Sequence, residues 1–375
     1  MTDQQAPLRG LQGAGQDQPS GRLAGPGQLQ SGSVAGATTA ANGEPLAELA
    51  HRYGLRPSAT RPSVRAYLGQ LWQRRHFILA FATARNLALY TEARLGQLWQ
   101  VLTPLLNAGV YFLIFGVLLN ISRGVPNYLG FVVTGVFVFN FTQRTFISTS
   151  TVMTQNLDLI RALQFPRAAL PIGYVVIELQ QMLLSVVVLI PILLATGEPL
   201  TWHWLLLFPA LALQTIFNIG CGLAVARLGS QVNDVSQLLP FLTRTWLYMS
   251  GVIFSIASLG PRVAGLSISA SNKVIALLQL NPAALYITLT RNALMTSQRE
   301  SAPGSKAHNA ALCTVWHTAG QKRGAARQVL YDSAHCPFAG ANPAHFWYYA
   351  AGWALLALVA GFFFFWRAET RYGRG

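Results

Sequence analysis

The stretch TQNLDLIRALQFPRAALP, residues 154–171, is a short Arg-bearing amphipathic segment set between two long runs almost free of charge. Leu157, Ile160 and Leu163 recur every third residue with Asp158, Arg161 and Gln164 between them, which fits about two turns of helix with one apolar face. Phe165-Pro166 ends it, because proline biases its predecessor away from helix. Pro171 can then stand in the first turn of the next helix, where a missing N–H costs little. The pattern is a helix, a corner and a re-entry into an apolar run. From the residues alone two readings stay open: an ordinary hairpin between apolar helices, or a helix that presses against a partner protein.

The runs on either side set the fold class. No Asp, Glu, Lys or Arg occurs in 95–122, 124–143, 199–226, 245–261 or 346–366, and 168–196 contains only Glu178. A membrane span needs about 20 mostly apolar residues. These runs predict six transmembrane helices at about 101–121, 127–148, 170–195, 203–226, 238–259 and 346–366. The chain is therefore read as an all-α polytopic membrane protein. Its composition agrees: 52% of the 375 residues are hydrophobic and 10% charged, against about 25% charged in an ordinary soluble domain.

The formal charge of +15 would point to nucleic acid if it covered one soluble face. Here the arginines fall in the N-terminal region and between apolar runs, as topology determinants and contacts to membrane lipids, so no nucleic acid is expected as a partner. Arg74, Arg75, Arg85, Arg94, Arg144, Arg161, Arg167, Arg227, Arg244, Arg367, Arg371 and Arg374 all fall on one side of the predicted spans, and the two short opposite loops carry only Arg123. That places both termini in the cytoplasm.

Residues 1–60, rich in Gly, Gln, Ala, Ser and Pro without apolar periodicity, read as a disordered cytoplasmic tail. In 61–94, Val64, Tyr67, Leu68, Leu71 and Trp72 share one helical face while Arg65, Gln70, Arg74 and Arg75 lie elsewhere, which predicts an amphipathic helix in the membrane interface. The remainder, 95–375, is the six-span domain, with an extracytoplasmic segment at 260–345. Cys313 and Cys336 fall in that segment and could bridge in an oxidising compartment, with free thiols as the alternative.

Four stretches, in order, resemble one family. Asn156, Leu159, Ile160, Arg161, Phe165, Pro166 and Arg167 match its N-x-x-L-I-R-x-x-x-F-P-R loop. Arg85, Leu87, Tyr90, Leu95, Gly96, Leu98, Trp99, Pro104 and Leu105 match its entry into the first span, although Leu89 replaces a basic residue. Asp234, Leu239, Pro240, Ser250, Val252 and Ile253 match the region of its fifth span, where Asn233, Gly251 and Phe254 replace an Arg, a Pro and a Tyr. Asn281, Pro282, Ile287, Arg291 and Leu294 match the element before its last span. The chain thus resembles the membrane subunits of type-2 ABC exporters of polysaccharides, which serve O-antigen, teichoic acid and actinobacterial galactan.

The resemblance implies a permease without enzymatic activity of its own that exports a polyprenyl-diphosphate-linked polysaccharide, galactan or O-antigen-like. It implies a homodimer, formed with a second copy of the chain, and two copies of a cassette ATPase subunit. ATP and Mg would be bound by that partner, and this chain would hold no cofactor. ATPase coupling would fall to Asn156, Leu157, Ile160, Arg161, Leu163, Phe165, Pro166 and Arg167 in a short cytoplasmic coupling helix. Tyr111, Phe115, Trp246 and Tyr248 would line the conduit. Asn281, Pro282 and Arg291 would belong to re-entrant outer helices before the last span.

The chemistry in the sequence itself is sparse. It contains no G-x-x-x-x-G-K-[ST] phosphate loop, no G-x-S-x-G and no H-E-x-x-H, and its histidines and cysteines lack metal-ligand spacing. Glu178 is the one carboxylate well inside a predicted span. It reads either as a functional group or as a partner for an arginine such as Arg144 or Arg227. A small-molecule or drug exporter of the same superfamily and a membrane glycosyltransferase are the competing functions.

Overall fold

The computed structural model describes residues 63–89, 95–96, 98–119, 127–163, 165–232, 234–254, 256, 277–278, 280–297 and 344–369. All of them belong to one compact unit, Arg61–Gly375. The expected tail, Cys313, Cys336 and most of the expected outer segment lie outside the described residues.

Every regular element among the described residues is helical. Helix α1 (Val64–Gln73) is capped by Ser63, whose hydroxyl accepts the Ala66 N–H at 3.3 Å. Helix α2 (Arg75–Ala88) follows after a break at Arg74. Helix α3 (Leu98–Tyr111) contains Pro104 and continues as a π-helix, Phe112–Leu118. Helix α4 (Tyr128–Ser150) starts at Asn127, which adopts the left-handed conformation and caps the Gly130 N–H. The short α5 (Val152–Gln155) and α6 (Leu157–Ala162) precede α7 (Ala169–Ala195). A 3-10 turn, Trp202–Leu206, leads into α8 (Leu207–Gln231), which is followed by α9 (Asp234–Met249), α10 (Pro282–Leu294) and α11 (Ala344–Trp366).

Four helical stretches among the described residues are long and apolar enough to cross a membrane: Leu98–Leu118, Ala169–Ala195, Trp202–Gln231 and His345–Trp366. They cover the first, third, fourth and sixth expected spans. The second expected span is one 23-residue helix, α4, which has the length but not the composition, since Asn140, Gln143, Arg144, Thr145, Ser148 and Thr149 crowd its second half. Its position explains that composition. Helix α4 packs against α3, α7, α8, α9 and α10, and most of its residues are buried, so its polar groups face protein rather than lipid. The fifth expected stretch, 238–259, is not a single helix. Helix α9 stops at Met249, and Gly251 turns the chain with φ 66°. The bend thus falls at the glycine that stands where the resemblance leads one to expect a proline.

The most extensive helix pairing is between α8 and α11. A Cβ on Gly220 would lie 2.2 Å from the Ala357 carbonyl carbon, and one on Gly361 would lie 1.9 Å from the Gly220 oxygen. Small residues that let two backbones touch are a means of joining helices in lipid, where hydrophobic association is weak. Main chain cannot rotate aside, so Gly220→Val should push the helices apart. It should cost about 1–3 kcal/mol, read as a lowered melting temperature in detergent.

Candidate functional site

The segment after α4 is packed against the bundle on one side and exposed on the other. Asn156 separates α5 from α6 and donates through Nδ2 to the Val152 carbonyl at 2.7 Å and to the Tyr174 hydroxyl at 3.3 Å. Ile160 is turned inward into a cluster with Tyr67, Ala82, Met153, Leu170 and Tyr174. Phe165 packs on Phe77 with ring centroids 5.7 Å apart, and Pro166 is buried. Asp158, Arg161 and Leu163 are exposed, and Leu157 is half-buried. The apolar face expected from Leu157, Ile160 and Leu163 is therefore divided: Ile160 holds the segment to the bundle, while Leu163 points away from it.

A second anchor was not foreseen. The Arg167 N–H donates to Glu369 Oε1 at 3.1 Å, and its guanidinium donates to the Glu369 carbonyl. The Tyr67 hydroxyl donates to Glu369 Oε2 at 2.9 Å and accepts the Ala168 N–H at 3.0 Å. Helix α1, the corner after α6 and the turn after α11 thus meet at one carboxylate. Burial pushes the Glu369 carboxyl above its ordinary value, against the opposing pull of the Arg167 N–H, the Tyr67 hydroxyl and the Arg167 charge. Two signals in the sequence point here: Tyr67 brings a hydroxyl to the apolar face of its helix, and Glu369 is the one acid after the last apolar run.

Inside the bundle, Glu178 is buried with Arg144 and Ser148 beside it. Arg144 donates to Gln181 at 2.7 Å. Asn86 of α2 joins this layer, donating to Gln180 and accepting from Gln100 of α3 and Gln181 of α7. Of the two arginines considered for Glu178, Arg144 is thus the neighbour. Arg227 lies instead over the Phe364 ring, 4.0 Å from its centroid.

At the other end of α4 the described part of the expected outer element is also tied by hydrogen bonds. Asn281 caps α10, accepting the Ala283 N–H at 3.1 Å and the Trp246 indole N–H at 2.8 Å. Pro282 occupies the first turn of α10, where it needs no donor. Arg291 is buried, donating to the carbonyls of Phe131, Gly251 and Val252 and stacking over the Phe131 ring. Nearby, Glu198 accepts hydrogen bonds from Asn127, Thr296 and Ser297. Burial works to raise the Glu198 carboxyl, but these bonds outweigh it and hold the group below its ordinary value.

The four aromatics expected to line a conduit do not form one surface. Tyr111 and Phe115 are near each other on the first apolar helix, and Tyr111 lies near the exposed Tyr248 and Arg244. Trp246 faces the interior, stacked on Phe146 and edge-on to Phe139. No group of His, Cys, Asp and Glu among the described residues is arranged to hold a metal ion.

Sequence comparison places this architecture among known proteins. The chain is 25% identical over 218 residues to the O-antigen export system permease protein RfbA of Myxococcus xanthus, covering 58% of this chain and 83% of that protein. It is 25% identical over 180 residues to a protein of the same name from Klebsiella pneumoniae, covering 48% of this chain and 69% of that one. Residues 78–269, just over half of the chain, match the ABC-2 type transporter family. That range runs from α2 through α9 and includes the whole α5–α6 segment. This chain, a multi-pass integral membrane protein, belongs to the ABC-2 type transporter family.

Proposed function

We propose that the chain is the permease half of an exporter that moves a polyprenyl-diphosphate-linked polysaccharide, O-antigen-like or galactan-like, outward across the plasma membrane. The polysaccharide cargo is supported by relatives that carry the name O-antigen export permease. The energy comes from a separate cassette ATPase, two copies of which bind ATP and Mg below two copies of this chain. Six passes are supported by the charge-poor apolar runs, and both termini on the ATPase side by the arginine distribution. A second copy would cover the exposed apolar residues Leu106, Val110, Leu113 and Val117 on the first apolar helix and Phe241 and Leu242 on α9.

The observation that carries this reading is the α5–α6 segment, clamped to the bundle through Ile160 and Arg167 while Asp158, Arg161 and Leu163 face outward. A rigidly held element with an exposed mixed surface can pass motion from a docked partner into the spans. The test separates the two sides of the segment. Arg161→Glu with Leu163→Asp should leave membrane abundance normal and abolish co-purification of the ATPase and export of lipid-linked glycan, because exposed substitutions cost within about 0.5 kcal/mol of stability. Ile160→Ala should instead lower stability by about 2–5 kcal/mol. Normal export by the abundant double variant would reduce the segment to a hairpin. Export of a small molecule with no lipid-linked glycan retained on depletion would favour the competing cargo.

A further inference from the structure

An apolar groove of about 520 Å³ runs between α8, α9 and α11, with Phe217, Cys221 and Ala224 on one wall, Trp246 at its back and Leu356 and Ala360 on the other wall. The Gly220–Gly361 contact forms its floor. Almost nothing polar is exposed inside it, so water gains no hydrogen bonds there and the groove favours hydrocarbon. Its end nearest the α5–α6 segment is marked by Phe364, and over that ring sits Arg227. The Arg227 guanidinium donates to the Phe364 carbonyl, while its buried Nε–H has no hydrogen-bond partner among the described residues. An arginine stays charged, and its planar fork matches the oxygens of a phosphate.

We propose that this groove is a binding site for one anionic phospholipid of the surrounding bilayer, with an acyl chain along α8 and α11 and its phosphate on Arg227. The occupant follows from the two parts of the site: a hydrocarbon-lined trough between apolar helices and, over the Phe364 ring that lines one end of it, the Arg227 guanidinium, against which a headgroup phosphate would lie. Neither the α5–α6 segment nor the exposed apolar residues of α3 and α9 takes part, so the site is separate from the proposed contact with a second copy, and of the four aromatics expected to line the conduit it shares Trp246 alone.

The test uses the whole protein in mild detergent, titrated with phosphatidylglycerol, phosphatidylcholine, a polyprenyl phosphate and inorganic phosphate, with binding read by native mass spectrometry. One phosphatidylglycerol should be retained per chain in preference to phosphatidylcholine. Arg227→Gln should weaken that binding about tenfold, and Arg227→Lys should weaken it less. Ala360→Trp, at an exposed position on the groove wall, should fill the trough and remove the lipid. Leu356→Trp repeats the test if that variant melts early. Equal phosphatidylglycerol binding by wild type, Arg227→Gln and the tryptophan variants would overturn the proposal. So would tighter binding of polyprenyl phosphate or of inorganic phosphate, or a cross-link from Leu356→Cys to a second copy seated in the groove.

Discussion

Arg291→Leu should leave little folded protein in the membrane. The guanidinium makes four hydrogen bonds to three main-chain carbonyls, those of Phe131, Gly251 and Val252, and its plane lies over the Phe131 ring. Leucine fills part of the volume but leaves those carbonyls in a buried site without their donor, at roughly 1–3 kcal/mol for each group that finds no replacement. The summed expectation is a loss of about 3–5 kcal/mol, comparable to breaking a buried charged network, and it should appear as a large drop in both abundance and melting temperature. Arg291→Lys keeps the charge on a single point and cannot span both Phe131 and Val252, so it should melt between wild type and leucine. A leucine variant that melts like wild type would show that the start of α4 and the bend after α9 hold together without this clamp.

The second large effect is expected at Glu369. Its carboxylate accepts from both Tyr67 and the Arg167 N–H, so Glu369→Ala deprives α1 and the corner after α6 of a shared acceptor. The cost should be about 2–3 kcal/mol, with export lost more completely than folded protein if the corner carries the proposed coupling segment, because that corner is no longer held. Glu369→Gln retains an acceptor for both donors and should be milder. Burial raises this carboxyl above its ordinary value in the folded state. The native protein therefore binds a proton more tightly than the unfolded chain. The contribution of this group to stability is complete below its unfolded value and is lost as pH rises through the raised one. Melting curves across that interval should fall with pH for wild type and flatten for Glu369→Gln. An unchanged slope would mean that another group governs it.

The parts of the fold visible in the sequence were those written as uninterrupted hydrophobicity. The helices α3, α7, α8 and α11 follow charge-free runs, broken only by Glu178 in α7 and by Arg227 near the end of α8, because lipid tolerates little else over that length. Helix α4 was also legible as a span, yet its central position was not: charge absence from 124 to 143 says nothing about neighbours, and the polar residues after it are acceptable only inside protein. The bend after Met249 was obscured because glycine replaces the expected proline, and a glycine declares its positive φ only in three dimensions. At the candidate site, periodicity identified the α6 face but could not tell which apolar residue points at a partner and which at the bundle. Ile160 and Leu163 look alike in sequence and differ in exposure. The Glu369 anchor was hidden by distance along the chain, since no local pattern relates Tyr67 to a residue 302 positions later.

That separation sets a timetable. Arg167 precedes the carboxylate that fixes it by 202 residues. At a synthesis rate of about 5–20 residues per second, the corner would emerge roughly 10–40 seconds before its anchor exists. During that interval the segment has Ile160 to hold it but not Glu369, and an ATPase arriving early would meet a surface still free to shift. If the segment docks the ATPase as proposed, only insertion of the helix that precedes Glu369 delivers the acid that fixes the docking surface.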